Sequence, residues 1–150
     1  MTIIERSELL QGEERAWRAF LEAAERVPLE LRTIPDVVPG WSVVDLAFHA
    51  GKWAELGGTH LEAMAAGTFV DEEQPDEVWQ AMNDSWAEES KALTWEQTVA
   101  IAEAGRMKAR TALEALREVD ETAASWFTEE TIEHYPEHTE EITRFASEQP

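Results

Sequence analysis

The chain contains no cysteine. That absence excludes a disulfide framework, thiolate metal ligands and a cysteine nucleophile. Any transition-metal site must therefore be built from His, Asp or Glu. Basic residues are also scarce: 12 Lys and Arg stand against 32 Asp and Glu, a formal net charge of −20. A field of that sign repels nucleic-acid phosphates and anionic lipid head groups, so neither a nucleic-acid nor a membrane partner is expected. The acidic excess reads first as a device of solubility. No apolar run approaches the roughly 20 residues that span a bilayer. The opening MTIIERSELLQGEER is charged and lacks the apolar core of a secretory signal, which makes a cytoplasmic location the expectation.

What is present points to one packed helical domain. A length of 150 residues suits a single domain over 1–150 with a sizeable core. Hydrophobic residues at 43% speak against disorder in its body. From Ser7 to Arg26, the residues Leu10, Trp17, Phe20, Leu21 and Ala24 recur at three- and four-residue steps, the mark of one apolar helix face. That helix is expected to stop at Pro28, before a loop broken by Pro35, Pro39 and Gly40. Ser42 reads as the cap of a second helix, with Asp45 in the capping-box position and Gly67 at the far end. Leu46, His49, Trp53, Leu56, His60 and Met64 form its stripe. Gly57 and Gly58 are costly inside that helix, which suggests close approach of a neighbour or a weak spot.

Further helices are expected over Asp76–Ser90, from Thr94 to about Arg117, and from near Thr128 onward, with VDETAAS as a connector. The expected core includes Trp17, Phe20, Leu46, Trp53, Val99, Leu113, Ile142 and Phe145. No window alternates like a strand, so the fold class is all-α: a four-helix bundle with one or two short extra helices. Of the seven tryptophans, Trp17, Trp53, Trp86 and Trp95 are read as gap fillers between helices in preference to an aromatic cage, and Trp41 as a hydrophobic staple before the Ser42 cap.

The histidines carry the chemistry. His134 and His138 are four residues apart in HYPEH, a spacing that puts both rings on one helix face. Two imidazoles so placed can chelate one ion. Ile142 and Phe145 continue that face, so it points inward. His49 lies in the apolar stripe of the second helix, and a bundle that brings the two faces together gathers three imidazoles. Three neutral nitrogens leave coordination positions open for water or substrate, and Zn, Ni, Fe and Mn all remain candidates. His60 lies about 16 Å further along its helix, too far to share the ion, and is expected at the surface or rim. HYPEH also fits the string H-x-x-E-H of inverted zinc proteases, with Glu137 as the candidate general base. Pro136 between the paired histidines is expected to bend the helix, the alternative being a helix that starts near His134.

Two stretches resemble the DinB/YfiT-like superfamily of metalloenzymes. PGWSVVDLAFHAGKW, residues 39–53, is similar to its second-helix motif, with Trp41, Ser42, Asp45, His49 and Trp53 at the matching places. HYPEHTEEI, residues 134–142, is similar to its fourth-helix motif, a histidine pair followed by an aliphatic residue. The resemblance spans nearly the whole chain and is nearest to the N-terminal domain of the mycothiol-dependent maleylpyruvate isomerase, without that enzyme's C-terminal domain. It implies a bundle in up-up-down-down order, often a homodimer, with a divalent transition metal on His49, His134 and His138. It implies an enzyme that transfers a low-molecular-weight thiol such as mycothiol or bacillithiol to a small electrophilic substrate, or isomerises one. Two alternatives stand beside it: a small-molecule metallohydrolase, and a non-catalytic metal-binding stress or scaffold protein.

Overall fold

The computed structural model describes residues 5–149. It is all-helical, with six α-helices and no strand among the described residues. These are α1 (Arg6–Arg26), α2 (Val43–Ala66), α3 (Asp76–Ser90), α4 (Trp95–Ala115), α5 (Glu121–Glu130) and α6 (His134–Ser147). Helix α1 ends at Val27 because the residue before Pro28 is pushed to extended backbone. Arg32 folds back onto that end and donates to the carbonyls of Val27 (2.8 Å) and Glu25 (3.3 Å), which the helix leaves unpaired.

Helix α2 begins as expected. Ser42 Oγ accepts from the Asp45 amide and the Asp45 carboxylate accepts from the Ser42 amide. The second carboxylate oxygen of Asp45 accepts from Ser90 Oγ at 2.6 Å, which ties the end of α3 to the start of α2. Gly67 ends α2 in the left-handed conformation, φ +72°. The Thr94 cap with Gln97 starts α4 in the same way. Helices α2 and α4 meet almost backbone to backbone. A Cβ on Gly51 would stand 2.5 Å from Ala102 Cα, and one on Gly105 would stand 2.3 Å from the Gly51 carbonyl oxygen. Close approach is therefore the role of the glycines here, and Gly58, whose added Cβ would lie 2.9 Å from the Ala109 amide, shares it. The α4 residues at these contacts are accordingly small, Ala102, Gly105 and Ala109, while Arg106 and Leu113 are also buried on this helix and Val99 is half-buried.

Trp17, Phe20, Leu46, Leu113, Ile142 and Phe145 are buried as expected, whereas Trp53 and Val99 are only half-buried. Two boundaries differ from the sequence reading. VDETAAS is not a connector throughout: Asp120 caps α5, whose Ala123 and Phe127 are buried. The last helix starts at His134, not near Thr128, after a turn over residues 131–133. Pro136 explains the second difference. It has no N–H to donate to Ile132, so the chain breaks α5 from α6 and leaves Pro136 in the first turn of α6, where no donor is needed. The helix is therefore restarted, not bent.

A cluster of buried charges joins α1, α4 and α6. Glu13, fully buried, accepts from Arg106 Nε (2.8 Å) and Nη2 (2.6 Å), from Arg110 Nη1 (2.9 Å) and from the Tyr135 hydroxyl (3.0 Å). Arg106 also reaches Glu14 and Glu103, and Trp17 Nε1 donates to Glu103. This network fixes the start of α6, and so the register of its histidines.

Candidate metal centre

His49 comes from the second turn of α2, and His134 and His138 from the first two turns of α6. The restart at His134 places both α6 rings one above the other, facing α2. The Nε2 atoms of His49 and His134 are 3.1 Å apart, as are those of His134 and His138. One ligand atom from each of the three residues lies within 4.8 Å of the other two. His60 stands apart as expected, half-buried against Trp126 and Phe69, with ring centroids at 4.3 and 5.4 Å.

Hydrogen bonding alone does not account for this convergence. His134 Nε2 has one in-plane position, either a lone pair or an N–H, yet two imidazole nitrogens approach it at 3.1 Å. His138 Nδ1 meets Glu141 Oε1 at 2.6 Å and, facing a carboxylate that only accepts, carries a proton, which in the neutral ring leaves a lone pair on Nε2. If His134 Nε2–H serves that lone pair, nothing is left for His49. Burial holds His49 and His134 neutral: it is the main cause that lowers His49 to about 3 and His134 to about 2, with neighbouring histidines adding to the effect. An extra proton on His49 or His134 is therefore no remedy, whereas neutral imidazole is the ligating form. Nitrogens about 2.0–2.1 Å from a divalent ion, at tetrahedral to octahedral angles, are separated by about 2.9–3.4 Å. The 3.1 Å of the two pairs that share His134 fits, and the His49 and His138 ligand atoms lie within 4.8 Å of each other. The cluster thus has the donor set and spacing of a three-histidine metal site, and a metal ion satisfies all three lone pairs at once.

Tryptophans wall the centre. The edge of Trp41 meets His49 at 5.3 Å between centroids, so Trp41 packs on the site, not only on the helix cap. Trp53 lies 6.3 Å from His49 and 6.5 Å from His134. Helix α3 backs Trp53 with Trp79 and Trp86, and Asn83 accepts from its indole N–H at 2.9 Å. His49 is only 8% exposed and the His138 side chain 13%. An open hollow of about 500 Å³ on α3, lined by Val78, Met82 and Trp86 among others, includes no triad histidine.

Two residues were not distinguishable in advance. Glu137, the base suggested by H-x-x-E-H, is exposed on α6, and the carboxylate that meets an imidazole is that of Glu141. The relevant signal, an acid three residues after His138, is present in the sequence but is shared by many of its 32 acids. Asn83 carries no signal at all, because its partner is 30 residues away.

Comparison of the chain with family models, with curated proteins and with solved structures gives no match.

Proposed function

We propose that this protein is a metal-dependent enzyme of the DinB/YfiT-like kind, with the up-up-down-down bundle order of that superfamily and a divalent ion on His49, His134 and His138. The observation that carries the reading is the convergence of three imidazole nitrogens, with His134 Nε2 3.1 Å from those of His49 and His138 and no partner but one another. The reaction proposed is transfer of a low-molecular-weight thiol to a small electrophile. A bound divalent ion favours the thiolate, or hydroxide, at neutral pH. The chain has no thiol of its own, so the nucleophile is borrowed. Trp41 and Trp53 exclude water from one side of the three nitrogens and offer apolar edges to a substrate. Hydrolysis has less support, because Glu137 faces solvent.

A second reading rests on the same walls. A centre in which His49 is 8% exposed also suits an ion that only holds α2 and α6 together. Conjugation of a generic electrophile by mycothiol, bacillithiol and glutathione separates the two. Metal-loaded parent protein is expected to accelerate conjugation with at least one thiol, and His138→Ala to lose that acceleration. Equal rates in the two proteins would place the non-catalytic reading ahead.

A further inference from the structure

The three histidines are not equivalent. His49 Nδ1 and His134 Nδ1 are buried without a hydrogen-bond partner. His138 Nδ1 alone has one, the Glu141 carboxylate at 2.6 Å, a short charge-assisted bond. Glu141 sits one turn after His138 on α6, and its side chain is 25% exposed. A carboxylate oxygen accepts and does not donate, so this contact requires the proton of His138 to be on Nδ1. The bond also limits rotation of the ring about χ2, so that Nε2 stays aimed at His134.

We propose that Glu141 is the positioning residue of this centre, selecting the Nδ1–H form of His138 and turning its Nε2 toward the other two nitrogens. The inference rests on the metal reading above and adds to it an ordering of the ligands. Hydrogen-bonded acceptors behind a ligating histidine fix its tautomer and raise its basicity. With such an acceptor His138 is the anchoring ligand, and His49 and His134 complete the set. The neighbouring acids do not share this role: Glu137 is exposed, and the Glu140 side chain is 78% exposed and faces Arg144.

The test uses the full chain with Glu141→Ala, Glu141→Gln and, as a control, Glu140→Gln. Zinc and cobalt(II) affinities are measured by chelator competition, and histidine tautomers by nitrogen NMR of the metal-free protein. Glu141→Ala is expected to bind both ions about 10–100-fold more weakly than the parent. His138 in that variant is expected to lose its Nδ1–H preference. Glu141→Gln, whose amide oxygen still accepts, is expected to recover part of both, and Glu140→Gln to match the parent. Unchanged helicity by circular dichroism separates these effects from misfolding. Parent-like affinity and tautomer in Glu141→Ala would overturn the inference. Absence of metal binding by the parent would overturn the metal reading itself, and the metal-free tautomer would then decide the positioning role alone.

Discussion

His134 and Tyr135 are neighbours at the start of α6, yet they belong to two buried polar clusters that follow opposite rules. Around Tyr135, charges of both signs meet: Glu13 receives two arginines and a phenol, and each strong donor finds an acceptor. Around His134, three groups of one kind face each other and two of their Nδ1 atoms have no partner. The first cluster is complete without a ligand. Burying it is tolerable because each desolvated charge has a partner at 2.6–3.0 Å. The second is incomplete, and its deficiency has a chemical form: lone pairs converging on a point where a cation fits. Burial of polar groups is thus common to both, and only the balance of donors and acceptors separates a structural network from a candidate site.

Breaking the complete cluster is expected to have the largest effect. Glu13→Ala leaves Arg106 and Arg110 facing each other without their shared carboxylate. Unfolding by urea should show a loss of about 3–5 kcal/mol, the usual consequence of removing one partner of a buried pair. A loss below about 1 kcal/mol would mean that water replaces Glu13 and that the network does not hold α6.

The incomplete cluster should respond to metal instead. Zinc at 100 times its dissociation constant is expected to raise stability by about 2.7 kcal/mol. For a chain of this size that is a rise in melting temperature of roughly 5–10 °C. His134→Ala should remove most of that rise. If the variant gains as much from zinc as the parent does, the ion binds elsewhere among the many acids.

Glu130 sharpens the contrast as a half-buried acid that is in neither cluster. Its side chain packs across Gly57, and burial, assisted by Glu129, raises its carboxyl to about 8 from 4.5. The folded protein therefore keeps a proton that the unfolded chain releases. This contribution is full below about pH 4.5 and is lost as pH rises towards 8. Glutamine copies the protonated form. Glu130→Gln should be neutral near pH 4 and stabilising at pH 8, on the order of 2 kcal/mol after allowance for partial exposure. Thermal melts across that range check it, and a gain independent of pH would show that the carboxyl is ionised in the fold.

Much of this molecule was readable from local chemistry. The Ser42–Asp45 box, the helix start at Thr94, the Gly67 stop and the apolar face of α1 involve residues within a turn or two of each other. Their hydrogen bonds and periodicities are therefore written in short stretches of sequence. The same holds for the His134–His138 pair, whose shared face follows from a spacing of four. The α5–α6 boundary was harder, because the pattern continues through Ile132 and Tyr135 while the missing N–H of Pro136 breaks the backbone. What only the tertiary structure decided is which distant groups meet. Glu13 and Arg106 are 93 residues apart, and His49 and His134 are 85 apart. Nothing local marks Glu13 among 32 acids, or tells whether the stripe bearing His49 turns to α6 or to α4. That choice follows from the packing of whole helices, above all the glycine contact of α2 with α4, which leaves the His49 face of α2 to receive α6.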